Sequence, residues 1–446
     1  ELKFVDARTH HFLGQRGPDP RIVLAEIQDD DVDTLLRAWT VPWPWELDIN
    51  AYAFRTMAEA GVAAVAVDVY QFDKGAAADD LPEGTAGLDD PTIQGALALQ
   101  GENGDLLGQA FRELDRVALA CELSQAPRYQ LEGRVGAAEG RLYSDRLGGA
   151  PSGPCYPGLN LPVRRLVDGA RLLGFANVKP DADGVVRRSH TVSCWRRRPL
   201  PSLPLATAAI ALGGEVAFDE DALSLGDARQ PLMADGSFLL NYRGGPGSTY
   251  PRIPPSRLID WAAQLDETGT LPDPAREALE GKIVVWGVNL AGREDVVTTT
   301  LSGAHHGPEF QATALDNLLH GDGRVRATFL SNAVVLLVLT TLLGLFSGFV
   351  RSRLAPHAAP LLLGGTWLLL AWLLFGGGTS FDVFTPLLGL LLTWGLAGVV
   401  RLLTEGRRNR WLEGTFGRYL APSIIEALKD DPELVALGGQ DRHVTL

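Results

Sequence analysis

Cysteine is scarce. The 446-residue chain holds three, Cys121, Cys155 and Cys194, so at most one disulfide can form and a disulfide-stapled scaffold is excluded. None stands in a CxxC pair or at Cys/His metal-ligand spacing, which removes zinc-finger and dithiol chemistry. Positive charge is short as well: 40 Lys+Arg against 54 Asp+Glu leave −14 at pH 7, with the acidic excess before residue 327. An acidic surface argues against nucleic acid and against anionic lipid headgroups as partners. It fits an ordinary solvated surface, or the attraction of a cationic ligand. No internal repeat is found.

Apolar sequence is abundant near the C-terminus. Residues 327–350 contain no charged side chain, and further apolar stretches follow at 356–375 and 383–400. Each is close to the ~20 residues a helix needs to cross a ~30 Å hydrocarbon core, so three membrane spans are expected. Arg351, Arg353 and His357 follow the first stretch, and Arg401, Arg407, Arg408 and Arg410 the third; the loop between the second and third holds Asp382 and no basic residue. Short loops rich in Lys and Arg stay in the cytoplasm. The tail after residue 400 is therefore expected inside and residues 1–326 outside. Arg324 and Arg326 weaken that signal without reversing it. The chain starts at Glu1 with no initiator Met, so a preceding signal-anchor helix is expected for an exported domain.

The outer part reads as α/β. Residues 21–27 are a short β-branched run, read as a buried strand that opens onto the acidic turn Gln28-Asp29-Asp30-Asp31. Residues 49–60 have helical spacing and are stopped by Gly61 as a C-cap. The near-continuous apolar run 62–70 is expected for a central parallel strand covered on both faces. Together they make a βαβ unit with a right-handed crossover. The glycine- and aspartate-rich stretch 74–104 reads as loop, 106–123 as an amphipathic helix, 134–160 as irregular, 282–288 as another buried strand and 309–319 as a helix. The expected fold is an α/β extracytoplasmic domain on a mainly parallel or mixed sheet, followed by an all-α three-helix transmembrane region.

Six stretches in order, PDPRIVLAEIQDDDV (18–32), VPWPWE (41–46), AYAFRTMAEAGVAAVAVDVYQF (51–72), DADGVVRRS (181–189), FLLNYRGGPGSTYPRIPPSRLID (238–260) and the long run 279–322, resemble the extracellular sensor called the type-two CHASE domain (CHASE2). That family places three membrane helices directly after the sensor, generally with one more before it. The tail carries a second likeness. Residues 413–422 (EGTFGRYLAP), through Gly438 and Gly439 to RHVTL at 442–446, resemble the lead-in to a class III nucleotide cyclase.

These resemblances imply a bacterial inner-membrane, multi-pass receptor whose sensor regulates a cytoplasmic cyclase making cyclic AMP, or less favoured cyclic GMP. They imply a homodimer, because class III sites form between two catalytic domains, and Mg or Mn for the chemistry. The catalytic residues would follow Leu446, so none is assigned in this chain. Two other outputs are a protein kinase and a non-enzymatic membrane ligand-binding protein. A histidine kinase needs a His-Glu acceptor helix after the membrane, which Phe416-Gly417-Arg418-Tyr419 does not resemble.

Asp29, Asp68 and Asp295 each stand near the carboxyl end of an expected strand, where ligands collect in open α/β sheets. With neighbouring strands they would converge, together with Asn289, on a cation or amine; the plainer role is to cap helices and tie turns. Trp43 and Trp45 form a rigid aromatic turn that either lines a pocket or locks a loop onto the core. Adjacent His305 and His306 face divergent directions and are expected in a loop rather than on a metal. Arg196, Arg197 and Arg198 read as a solvated basic turn. Gly344 and Gly348 form a GxxxG pattern suited to helix packing or dimerisation. Arg401, Phe416, Gly417, Arg418 and Tyr419 lie where a signal would leave the membrane.

Overall fold

The computed structural model describes residues 1–69, 105–125, 141–142, 147, 149–150, 153–290, 295–350 and 355–416. Its main elements are, in chain order, α1 (Leu2–His11), β1 (Ile22–Ile27), α2 (Asp29–Trp39), α3 (Leu47–Ala60), β2 (Ala64–Val67), α4 (Asp105–Leu114), β3 (Val117–Ser124), β4 (Leu172–Phe175), α5 (Leu203–Leu212), α6 (Pro255–Thr268), β5 (Ile283–Val288), α7 (Gly307–His320), α8 (Phe329–Phe349), α9 (Ala355–Gly376) and α10 (Phe384–Phe416). They form two bodies. One comprises Leu2–Arg326 with Leu374–Ser380; the other comprises Glu1, Ala327–Leu373 and the chain from Phe381 onward.

Every residue of β1, β2 and β5 is buried, as expected of parallel strands with helices on both faces. The strands run parallel in the order β1-β5-β2-β3-β4, and Gly158–Asn160 adds an antiparallel partner to the end of β3. The last strand in sequence is thus inserted between the first two. Alternation of side chains separates two cores. Ala25, Val65, Val67 and Trp286 face α3, α4 and α6, where Phe54, Phe111 and Trp261 are buried. Leu24, Ala66 and Val285 face α5 and α7, where Leu205, Ala208 and Phe310 are buried. The helices that follow β1 and β2 therefore cover one face, and α7, which follows β5, covers the other.

Three readings change. Asp29, Asp30 and Asp31 are not a turn: they open α2, where Gln28 and Asp31 form a capping box and all three carboxylates meet the positive end of the helix dipole. The run 106–123 is not one helix. It stops at Leu114, Asp115 takes a left-handed φ of 48°, and the rest becomes β3. A short apolar run carries no period that separates a buried strand from a helix. The strands of the expected βαβ unit are not neighbours, because β5 lies between them. The stretch after residue 400 is helical and continues α10 to Phe416. The stretch 74–104, most of 134–152, and Gly417, Arg418 and Tyr419 lie outside the described residues.

The single disulfide joins Cys155 to Cys194 on paired strands, and Cys121 is free and buried in β3. Arg243 and Asp316 form a fully buried ion pair at 2.7 Å. Tyr250 and the Asp19 amide donate to the same carboxylate, so α7 is tied to two distant segments. Breaking such a buried pair by removing one partner is strongly destabilising, because it leaves the other charge uncompensated. The segment Leu374–Ser380 packs within this same body: Phe375 is buried beside Phe12, with the Arg8 and Arg324 guanidinium groups 4.9 and 4.7 Å from its ring centre. Its Thr379–Ser380 pairs with Val325–Arg326.

In the other body α8, α9 and α10 are long and apolar enough to cross a membrane, with spans of 21, 20 and 21 residues whose most apolar 18-residue stretches have mean hydropathies of 2.2, 1.9 and 1.8. A side chain at Gly389 would collide with Leu336, so α10 approaches α8 closely there; Gly344 and Gly348 meet nothing within 4 Å of their Cα faces.

At Gly287 in β5, an added Cβ would overlap the Pro308 ring at the start of α7. Gly287→Ala should therefore lower stability by roughly 1–3 kcal/mol, as overpacking does. Thermal unfolding reads this, with Gly245→Ala, in open space at ordinary φ, as the unchanged control.

Candidate ligand-binding site

In an open α/β sheet the crevice lies beyond the carboxyl ends of strands, where neighbouring connections leave to opposite faces. Here that point is β5. Glu26 in β1 stands opposite Gly287 in the register. On the other side Val67 of β2 pairs with Trp286, and the next residue, Asp68, donates its amide to the Trp286 carbonyl at 2.9 Å. Glu26 and Asp68 therefore flank the bare Gly287 on the α7 face, with the Pro308 ring seated between them.

Both carboxylates are buried, Glu26 at 3% and Asp68 at 6% exposure. Neither Asp68 oxygen has a hydrogen-bond partner, and neither does either Glu26 oxygen. Glu26 keeps an ion-pair contact with Arg252 at 3.2 Å. Burial raises the Glu26 pKa and Arg252 opposes that rise. Burial pushes Asp68 up to about 8, assisted by the negative charge of Asp295. Asp295 is itself raised by burial. The residue is exposed as a whole, yet its Oδ2 lies against Gly307 and is shielded there. The Gly307 amide also donates to the Asp295 carbonyl at 2.7 Å, pinning this loop to the first residue of α7.

The histidines diverge as their adjacency demands. His306 accepts from the Asn289 side chain at 2.8 Å. His305 is buried, pairs with Thr299 at 3.3 Å and lies 3.8 Å from Glu309. Burial lowers the His305 pKa. Glu309 accepts the Gly247 amide at 2.7 Å through one oxygen and leaves the other unpartnered. Among the described residues no three His, Cys, Asp or Glu side chains are arranged to hold a metal ion.

Of the six residues with ligand-site character in the sequence, Asp68, Asn289 and Asp295 come together around the end of β5. Asp29 is exposed in the first turn of α2. Trp43 and Trp45 pack edge to face at 5.3 Å on the opposite side of the sheet, with Trp45 in the core. Glu26, Arg252 and Glu309 were missed. One signal was available: a carboxylate inside the apolar run IVLAEI. A second polar hollow near Phe175, Lys179, His190, Ser202 and Gln311 has room for little more than one water and does not adjoin these carboxylates.

An α/β domain with buried, unpartnered carboxylates at its strand ends is followed along the chain by three helices of membrane-spanning length and composition. The model of the CHASE2 domain matches residues 1–347, and the chain belongs to that family. It matches no curated protein and no solved structure.

A carboxyl held above its ordinary pKa stabilises the fold below that ordinary value, and the contribution fades as pH rises through the folded value. For Asp68 the loss runs from about pH 4 to about 8. His305, held low, acts in the opposite sense below its ordinary value near 6.5, so the Asp68 effect is cleanest between pH 6.5 and 8. Stability there should fall by up to about 1.4 kcal/mol per pH unit. Denaturant titrations at several pH values measure it, and Asp68→Asn should flatten the slope.

Proposed function

We propose that the full protein is a homodimeric bacterial inner-membrane receptor whose CHASE2 sensor, residues 1–326, lies outside and regulates a cytoplasmic class III cyclase. That cyclase converts ATP to cyclic AMP and diphosphate with Mg or Mn. Asp68, Asn289 and Asp295 line the sensing crevice. The observation that carries the reading is α10. Its 33 residues run unbroken from Phe384 to Phe416, about 50 Å of helix, against a hydrocarbon core of ~30 Å. Roughly 20 Å of the same helix is left to project beyond the membrane. That portion ends in the stretch whose likeness is to a cyclase lead-in, with no separate coupling module between.

Further support comes from the helix packing. The Arg401 guanidinium donates to the Ser347 and Val350 carbonyls at 2.6 and 2.7 Å, a cation closing the carbonyl end of α8. This fixes the register of α10 against α8, so a shift of one helix carries the other. The open faces of Gly344 and Gly348 suit contact with a second copy. The Cys155–Cys194 disulfide fits an oxidising compartment for the sensor, and Arg401, Arg407, Arg408 and Arg410 in the last part of α10 fit a cytoplasmic tail. Ligand binding to one arrangement of the paired sensors shifts the population. Arg401, Phe416, Gly417, Arg418 and Tyr419 then pass the change to the catalytic domains.

Each inserted residue rotates a helix by about 100°. In membranes carrying the full-length protein, inserting one, two or three residues after Val400 should change cyclic AMP output with the phase of the helix, several-fold between best and worst. Deleting the sensor should abolish any response. Equal output from every insertion rules out this mode of coupling.

A further inference from the structure

We propose that the crevice at the carboxyl end of β5 binds an organic ammonium group, the end of a primary amine or polyamine, between Asp68 and Asp295. This rests on the reading of the chain as a receptor and adds the chemical class of what it senses.

The chemistry follows from what the crevice leaves unsatisfied. Asp68 is nine-tenths buried and both of its oxygens lack a hydrogen-bond partner. Buried polar atoms in folded proteins are nearly always paired, so two on one carboxylate mark a group made to meet something else. It stands where the connection after β5 leaves to the face opposite its neighbours' connections, the position at which open α/β sheets take ligands. Access is at Asp295, which is exposed. Asp68 forms the floor and Asp295 the mouth.

The charge balance selects the ligand class. Among the described residues, the charged and titratable groups facing this region are Glu26 from β1, Arg252 ahead of α6, His305 and His306 ahead of α7, Glu309 in its first turn, and Asp295. Arg252 serves Glu26 and Glu309, at 3.2 and 4.0 Å; among the described residues no ion pair reaches Asp68 or Asp295. Two carboxylates without a cation call for positive charge. A metal cage needs at least a third convergent ligand, which the described residues do not supply. An ammonium group needs less: its three N–H donors are satisfied by carboxylate and carbonyl oxygens one at a time.

Binding also moves a proton. Asp68 is a buried carboxyl beside the negative charge of Asp295, so the free site holds a proton on Asp68 at neutral pH. When the ammonium enters, that proton leaves to solvent. The bound state is then an ammonium cation against two carboxylates, and one proton is released per ligand.

Isothermal titration calorimetry on the chain of residues 1–446 in detergent micelles tests this at pH 6, 7 and 8. The probes are ethanolamine, putrescine and spermidine, with tetramethylammonium as the cation lacking N–H donors. At least one amine should bind, tightening by up to about tenfold per pH unit as the released proton requires. Asp295→Asn, a substitution at the exposed mouth that spares the core, should weaken binding at least tenfold. Asp68→Asn should weaken it and remove the pH dependence. The proposal is overturned if no amine binds, if binding is insensitive to both pH and Asp295→Asn, or if tetramethylammonium binds equally well. No cyclase activity enters the measurement, so failure here leaves the receptor–cyclase reading untouched. Conversely, a silent cyclase would leave the binding result intact.

Discussion

The contact of Pro308 with Gly287 sets the geometry on which the rest depends. Only a residue without a side chain, in the middle of a fully buried parallel strand, lets the first turn of α7 descend onto the sheet. Since β5 is flanked by β1 and β2, that descent brings α7 between Glu26 and Asp68 and draws the Asp295 loop under Gly307. The carboxylates are thus desolvated by the fold, against the usual preference of such groups for water. A sheet that hides Asp68 without pairing it sacrifices stability at one place. Sites of that kind are where function is found.

The buried network at the far end of α7 holds this arrangement in register. Arg243, Tyr250 and the amide of Asp19 all converge on Asp316, and Asn317 exchanges two hydrogen bonds with Asn241. The motifs 18–32, 238–260 and 279–322, which carried the likeness to the sensor family, are therefore largely one mutual scaffold. Within them Asp19, Asn241, Tyr250, Asp316 and Asn317 hold segments together, whereas Asn289 and Asp295 stand at the end of β5.

This bears on what could be read from the sequence. The strands β1, β2 and β5, the helices α3 and α7 and the three long apolar helices were legible, because uninterrupted apolar runs and 3.6-residue spacing are local properties. Strand order was not: the insertion of β5 between β1 and β2 is a pairing across more than 200 residues, as the register of Ile22 with Ile283 shows. For the same reason Asp68 and Asp295 could be suspected but not brought together, and Asp29 stood beside them only on paper. Glu26 escaped notice since strand position, not sequence neighbourhood, gives it Arg252 as partner. The helix wrongly continued through 115–123 shows the other limit, where composition alone cannot choose between two buried states.

The chain passes between the sensor body and the helices after Arg326 and at both ends of the segment Leu374–Ser380, which Phe12, Arg8 and Arg324 hold by its Phe375. The central claim is that occupancy of the Asp68–Asp295 crevice sets the output beyond α10. It is tested most directly by cyclic AMP formation from the full-length protein in membranes, titrated with putrescine and spermidine outside, for the wild type and for the Asp68→Asn/Asp295→Asn double variant. The account predicts that an amine changes the wild-type output several-fold and leaves the double variant unmoved. An amine response of equal size in both proteins, or in neither, would contradict it.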